Sequence, residues 1–119
     1  MSYALDRSRD AIFVERLHAK TLARSLEWSR TEHEGRYQVQ LGEFLVEIGE
    51  GAATANGPEI LLCGPDGRAL EVITPEMLTE GRQDVAAARR EAFEQTYEAA
   101  RRMALGVDLA IDSLIRVLK

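Results

Sequence analysis

The strongest constraint on the fold is a pair of alternating segments that flank the dipeptide Gly42-Glu43. Apolar residues at every second position are typical of a strand with one buried face. A two-residue connection with glycine first fits a type II′ turn, which pairs Leu41 with Phe44. The turn and the apolar pattern independently favour the same register. The hairpin therefore places six apolar side chains on one face, namely Tyr37, Val39, Leu41, Phe44, Val46 and Ile48.

Further strands are predicted on both sides of this hairpin. Leu26 and Trp28 alternate with polar residues, which indicates a first strand. A second hairpin is predicted from Glu59–Cys63 and Arg68–Ile73, because the Gly64–Gly67 segment has the residues of a tight turn. The sequence thus predicts about five strands, mostly antiparallel.

The N-terminal part of the chain predicts a helix, and so does the segment after the last strand. Residues Arg7–Ser25 contain no glycine or proline and carry apolar residues at helical spacing. Thr74-Pro75-Glu76 is typical of a helix start, and Gly81 limits it to a short turn.

A long helix is predicted over Gln83–Leu105, with Gly106 as its left-handed end. Asp108 is predicted to cap a last helix that runs to the C-terminus. On the outer side of the long helix, two ion pairs with i,i+4 spacing are expected, Arg90 with Glu94 and Glu98 with Arg102.

The predicted fold class is α+β, with one domain over residues 1–119. About five mainly antiparallel strands carry the N-terminal helix and the two C-terminal helices on one face and leave the other face partly exposed. The predicted core consists of Trp28, Tyr37, Val39, Leu41, Phe44, Val46, Ile48, Phe93 and Tyr97.

Composition narrows the class of protein further. The 119 residues are 45% hydrophobic and 29% charged, which is ordinary for a globular domain. No apolar run approaches the roughly 18 residues of a membrane span, and the N-terminus lacks a secretory signal pattern, so we expect a cytoplasmic protein without membrane contact. The net charge of −5 opposes nucleic-acid binding. The single cysteine, Cys63, allows no internal disulfide and is expected to be a buried, unreactive thiol.

The last helix is the segment most informative about function. Its polar residues Asp108, Asp112, Arg116 and Lys119 form one narrow stripe, and apolar residues cover most of the remaining circumference. One sheet hides only part of such a helix, so a second neighbour is needed. That neighbour is either the same chain, folded back at Gly106, or another chain, most simply in a twofold homodimer. The predicted interface residues are Leu109, Ile111, Leu114, Ile115 and Leu118.

Signals for catalysis and for metal binding are weak, so we predict no catalytic residue, cofactor or metal ion, and no enzyme. His33 lies between Glu32 and Glu34 but at a predicted hairpin tip, where a solvated turn is favoured over a ligand site. His18 is expected to be a partly buried helix residue. The basic pairs of the long helix alternate with acids, which favours a solvated mixed face; those pairs are Arg89, Arg90, Arg101 and Arg102.

These observations favour a non-catalytic scaffold or adaptor that binds another protein. The alternative is a small-molecule or peptide-binding domain that uses a pocket beside Gly49–Pro58, a segment predicted to be the long loop of the domain.

Two segments, one near each end, resemble a family of small uncharacterised bacterial cytoplasmic α+β proteins. The resemblance implies a helix, a sheet and C-terminal helices, with Trp28 as a core anchor, and it implies no activity. Its residues are Phe13-x3-Leu17-x3-Thr21-x4-Leu26-x-Trp28 and Ala100-Arg101-Arg102-x-Ala104-Leu105-Gly106-Val107-Asp108-x-Ala110-Ile111-Asp112.

In size, acidity and strand grouping the chain is also similar to type III secretion chaperones, which are homodimers. This similarity implies a function as an effector-binding chaperone. The sequence departs from that pattern where the chaperones have a central interface helix, because the segment 51–58, GAATANGP, is not helix-forming.

Overall fold

Five strands form one antiparallel sheet, and their order across the sheet is the same as their order along the chain. The computed structural model describes residues 7–51, 57–79 and 82–119. The strands are β1 (Ser29–Arg30), β2 (Arg36–Leu41), β3 (Phe44–Glu50), β4 (Pro58–Cys63) and β5 (Ala69–Ile73). The helices are α1 (Ser8–Leu22), α2 (Gln83–Leu105) and α3 (Val107–Val117), with a short 3-10 helix at Glu76–Leu78. The predicted α+β fold class is confirmed.

The hairpin around Gly42 has the predicted register. Leu41 pairs with Phe44 across the turn, and Gly42 has the positive φ, +64°, that a type II′ turn requires at its first central position. The prediction that Phe44 belongs to the core is wrong, because its side chain is 39% exposed. It directly follows the turn, at the end of the sheet.

The first helix ends three residues earlier than predicted. Arg24 adopts a left-handed conformation, φ +60°, and the backbone N–H of Ser25 donates to the carbonyl of Lys20. This is a Schellman end, for which glycine is the usual signal. Because the sequence has an arginine at this position, local reasoning missed the end of the helix.

The predicted first strand is also displaced, since β1 begins at Ser29 rather than at Leu26. The Trp28 side chain is buried in the core, and its indole N–H donates to Thr21 Oγ1 at 3.1 Å. Trp28 therefore links the end of α1 to the start of the sheet.

The second hairpin is confirmed. The Gly67 N–H donates to the Gly64 carbonyl at 2.9 Å, and Gly67 has φ +84°. The expected loop between the hairpins is shorter than Gly49–Pro58 at both ends, because Gly49 and Glu50 continue β3 and Pro58 begins β4. The central part of that predicted loop, residues 52–56, lies outside the described residues.

The core lies between the sheet and α2, and α1 packs on α2. Phe93 and Ala100 of α2 are fully buried, as are Ile48 and Ile60 of the sheet. Of the predicted core, Leu41 and Tyr97 are only partly buried. The buried apolar cluster consists of Val14, Leu17, Trp28, Tyr37, Val39, Val46, Ile48, Ile60, Ile73, Leu78, Phe93 and Ala100.

On the other face of the sheet, Arg36 holds three strands together. Its guanidinium donates to the carboxylate of Glu47 and, at 2.9 Å, to the backbone carbonyl of Glu50, and it lies 3.6 Å from Glu59. Gly49 is needed beside it, since a Cβ there would lie 2.6 Å from Cγ of Arg36.

Candidate interaction surface

The last helix, α3, leaves the body of the protein at a sharp bend. Gly106 adopts the left-handed conformation, φ +67°, and its N–H donates to the carbonyls of Arg102 and Met103. The glycine thus ends α2 as predicted. The prediction that α3 lies on the sheet is wrong, because α3 packs chiefly against the end of α2.

Two ion pairs hold the bend. Asp108 accepts hydrogen bonds from Arg102 at 2.5 Å and from Arg24 at 3.1 Å. The Arg102 hydrogen bond, followed by the attraction of both cations, lowers the pKa of Asp108. The predicted capping role of Asp108 is wrong, since the residue lies inside the first turn of α3 and no side chain caps this helix.

The apolar side chains of α3 are exposed rather than covered by the chain itself. No residue of this helix is buried. The exposed fraction of the five predicted interface residues ranges from 40% for Ile111 to 81% for Leu118; the others are Leu109, Leu114 and Ile115. Of the two neighbours that the sequence left open, the described part of the same chain therefore does not cover α3.

The apolar residues of α3 continue along one side in a regular pattern. Val107, Ile111, Leu114 and Leu118 follow one another at spacings of four, three and four residues. This is the spacing at which one helix packs against another along a continuous seam. Ile115 lies beside the seam and widens it. The polar residues Asp108, Asp112 and Arg116 form a stripe roughly opposite Leu114. The prediction that this helix runs to the C-terminus is wrong by two residues, because α3 ends at Val117 and Lys119 lies beyond it.

Beneath the first turn of α3 lies an open groove of about 380 Å³. Leu26, Trp28 and Met103 line it from the body of the protein, and Leu109 lines it from α3. The groove has a mixed lining, because charged side chains also border it, namely Arg24, Glu27, Arg102, Asp108 and Asp112. Sequence reasoning did not find this groove, or the role of Arg24 at the bend, because Arg24 and Asp108 are 84 positions apart.

The basic residues of α2 are balanced by acids. The predicted i,i+4 pairs of this helix are wrong, because Arg90 and Arg102 have partners elsewhere. The observed pairs are Arg89 with Glu15 at 2.9 Å, Arg90 with Glu76 at 4.0 Å, Arg101 with Glu98 at 2.6 Å and Arg102 with Asp108 at 2.5 Å. The α2 arginines therefore form the mixed face that the sequence predicted.

The weak catalytic candidates lie on different elements of the fold. His33 is exposed in the turn before β2, while His18 of α1 lies 2.7 Å from Gln95 of α2. Cys63 is buried as predicted, and burial, followed by the charge of Glu47, raises the pKa of its thiol. Across the described ranges, no group of three or more His, Cys, Asp or Glu residues could hold a metal ion.

Comparisons with known proteins add no family assignment. No protein-family model matches the chain, and searches of curated proteins and of solved structures give no significant match. In the part of the chain that the structure describes, no helix is long and apolar enough to cross a membrane.

Proposed function

We propose that this protein is a non-catalytic interaction module that self-associates through α3 and acts as a scaffold or adaptor for other proteins. The observation that carries the proposal is the exposure of α3, whose leucine and isoleucine side chains lie in solvent along its whole length. Transfer of one such side chain from water to a packed interface is favourable by about 1.5–3 kcal/mol. A second protein surface is the simplest source of that burial.

The charges of α3 favour a second copy of the same chain as the partner. From the start of α3 to residue 119, the charged residues read acid, acid, base, base, in the order Asp108, Asp112, Arg116 and Lys119. In an antiparallel twofold pair, the acidic half of one copy lies beside the basic half of the other. A parallel pair would place like charges side by side, which is unfavourable.

One antiparallel register sets Asp112 of one copy level with Arg116 of the other, because these two residues have their midpoint at Leu114, where the twofold axis would cross the helix. Asp108 stays in its ion pairs with Arg24 and Arg102. The charged stripe lies roughly opposite Leu114 on the helix, so these charges favour the antiparallel orientation over a distance and are not contacts of the apolar interface. Leu114, exposed by 58%, lies at the proposed axis. Burial of Leu114 against its own copy would make it a central apolar contact.

Sedimentation velocity tests the proposal, with Leu114→Asp as the disruptive variant and Leu70→Asp as the matched control. Both leucines are exposed by 58%, but Leu70 lies on β5, away from α3. We expect the wild type and Leu70→Asp to sediment as dimers and Leu114→Asp as a monomer, because a buried unpaired carboxylate is strongly unfavourable. A wild type that stays monomeric up to about 100 μM, a weak affinity by interface standards, would refute self-association.

A charge variant tests the antiparallel arrangement separately. Asp112→Lys changes the stripe to acid, base, base, base, and should weaken the dimer most at low salt, where exposed charges are least screened. Asp112→Asn, which removes the charge without reversing it, should have a smaller effect. Equal dimer affinity for both variants and the wild type would exclude the proposed charge pairing.

A further inference from the structure

A second apolar surface lies on the opposite side of α1 from α2. It is an open groove of about 340 Å³, here called the α1 groove, that runs between α1 and the sheet. Phe13, Leu26 and Leu41 form its floor and are partly buried against the core. The residues that line it are Arg9, Ile12, Phe13, Arg16, Leu17, Lys20, Leu26 and Leu41.

Three cations border this groove without an acidic partner. Arg9, Arg16 and Lys20 are exposed, and within residues 7–51, 57–79 and 82–119 none of them has a carboxylate within 4.0 Å. By contrast, Arg7 on the same helix lies 3.0 Å from Asp10. Three unpaired cations on one apolar groove are unexpected in a chain of net charge −5. Among the described residues, this local positive surface therefore has no acidic partner.

The spacing of the cations places them in a line. Arg9, Arg16 and Lys20 stand at positions i, i+7 and i+11 of α1, which lie on one face of an α-helix. At a rise of 1.5 Å per residue, the line is about 16 Å long, or three helical turns. Phe13 lies on the same face between the first two cations. A ligand that matches this surface therefore needs an apolar side and a row of negative charges of similar length.

We propose that the α1 groove binds an acidic amphipathic helix of another protein. Its apolar side packs on Phe13, Leu26 and Leu41, and its carboxylates pair with Arg9, Arg16 and Lys20. Helix-in-groove binding of this kind uses apolar anchors at i, i+3 or i+4 and i+7. The charges set the orientation and the choice of partner, and the apolar floor supplies most of the affinity.

The shape of the surface favours a helix of a protein over an anionic membrane. Insertion into a bilayer requires protruding apolar side chains. Leu17 is only 3% exposed, and Ile12, at 47%, is the one apolar residue of this groove that projects well into solvent. The net charge of −5 also opposes approach to an extended anionic surface, whereas a short helix contacts only the basic rim.

This binding site is independent of self-association through α3. Its lining residues belong to α1, to the segment before β1 and to β2, and α3 contributes none of them. Leu26 also lines the groove beneath α3, but Leu114 lines neither groove. The Leu114→Asp variant should therefore bind an acidic helix as well as the wild type does. Loss of peptide binding and loss of the dimer can thus be observed separately.

Fluorescence anisotropy with two synthetic peptides tests the proposal. Each peptide has about 15 residues, enough for four helical turns, with leucines on one face; one carries glutamates on the other face and its twin carries lysines. We expect saturable binding of the glutamate peptide only, with an affinity that falls as salt is raised. The charge-reversed variant Arg9→Glu/Arg16→Glu/Lys20→Glu should lose at least about tenfold in affinity for the glutamate peptide and gain binding of the lysine peptide.

Control variants locate the effect at the α1 groove. Arg30→Glu reverses an exposed cation on β1 and should leave binding unchanged. If the charge-reversed variant does not fold, as judged by circular dichroism, the neutral variant Arg16→Gln/Lys20→Gln should show a smaller loss in the same direction. Failure of the wild type to bind the glutamate peptide, or equal binding of both peptides, overturns the proposal. Tighter binding to vesicles of anionic phosphatidylglycerol, with displacement of the peptide, would overturn it in favour of a membrane ligand.

Discussion

Two buried threonines, Thr21 and Thr96, show how the same side chain can have different structural importance. Thr21 is fully buried and its hydroxyl accepts the indole N–H of Trp28, which joins α1 to the chain before β1. Thr96 is equally buried, but its hydroxyl donates to the carbonyl of Ala92 within α2. The Thr21 bond connects two elements, whereas the Thr96 bond only repeats a connection that the helix already makes.

Thr21→Val should lower the free energy of unfolding by about 1–3 kcal/mol, because it leaves the buried indole N–H of Trp28 without an acceptor. Thr96→Val is the matched control and should cost less, since Ala92 keeps its helical hydrogen bond. Urea denaturation followed by tryptophan fluorescence measures both. Equal stability of the two variants would show that the indole finds another partner.

The buried thiol of Cys63 predicts a loss of stability at alkaline pH. Its pKa is raised by burial above the ordinary value of 9.0, so the folded protein keeps a proton that the unfolded chain releases. This contribution to stability is complete below pH 9 and is lost as the pH rises toward the folded-state pKa. Tyr97, whose pKa burial raises above 10.0, adds to the loss at higher pH.

Urea denaturation of the wild type and of Cys63→Ala at a series of pH values above 8 checks this prediction. The free energy of unfolding should fall less steeply with pH in the variant, because the raised thiol pKa is gone. If the curves of unfolding free energy against pH are parallel for the wild type and Cys63→Ala, the thiol has the same pKa in the folded and unfolded states.

At the scale of elements, the sequence predicted those features whose signals are local. The turn residues at Gly42 and Gly67 fixed both hairpins, and Gly106 marked the end of α2, because each requires a positive φ that glycine adopts readily. The displaced β1 and the position of α3 could not be predicted in this way. They depend on the Trp28–Thr21 bond and on Arg24, which connect distant parts of the chain.

The two candidate surfaces differ in the same way, because one depends on a local sequence pattern and the other on contacts between distant segments. The excess of apolar surface on α3 was predicted, because a helix that is apolar around most of its circumference exceeds what one sheet can cover. Whether the same chain covers that surface was left open. The α1 groove was not predicted, because its floor combines Phe13 with Leu26 and Leu41 from other segments. The sequence shows Arg9, Arg16 and Lys20, but it does not show that these cations lack carboxylate partners among the described residues.

Gly106 supports the bend between α2 and α3 together with the ion pairs of Asp108. Gly106→Ala places a Cβ in the left-handed conformation, which costs on the order of 1 kcal/mol although nothing lies within 4 Å of that Cβ. The strain is relieved if α2 and α3 join into one straight helix. Asparagine tolerates this conformation better than alanine, so Gly106→Asn should keep the bend.

Small-angle X-ray scattering can detect the straightening, with the Leu114→Asp background used to exclude dimers. Gly106→Ala should increase the largest dimension of the particle relative to Gly106→Asn. Identical scattering of the two variants would mean that Asp108 and its two arginine partners hold the bend without help from glycine.

The whole molecule is more extended than a typical domain of its length. The radius of gyration is 15.8 Å and the longest dimension is 66 Å. A compact domain of the same length would have a radius of gyration of about 13.5 Å. The position of α3, which packs chiefly against the end of α2, contributes to this extended shape. A molecule of this shape buries little of its terminal helix unless it has a partner.

If α3 is buried in a dimer, thermal stability should depend on protein concentration. A rise of about a hundredfold in concentration should increase the Tm of the wild type by a few degrees, since association stabilises the folded state by mass action. Differential scanning calorimetry of the wild type, Leu70→Asp and Leu114→Asp would measure it. The Tm of Leu114→Asp should be independent of concentration. A wild-type Tm that is also independent of concentration would contradict linkage between folding and assembly.

The agreement between strand order and chain order also bears on how the protein folds. Each strand pairs with its neighbour in sequence, so the sheet can form by closing short loops, and short loops close fast and at small entropic cost. The packing of α1 on α2 instead joins segments about seventy residues apart. We therefore expect the five-stranded sheet to form early. The docking of α1 on α2 is expected to be the late step that completes the native state.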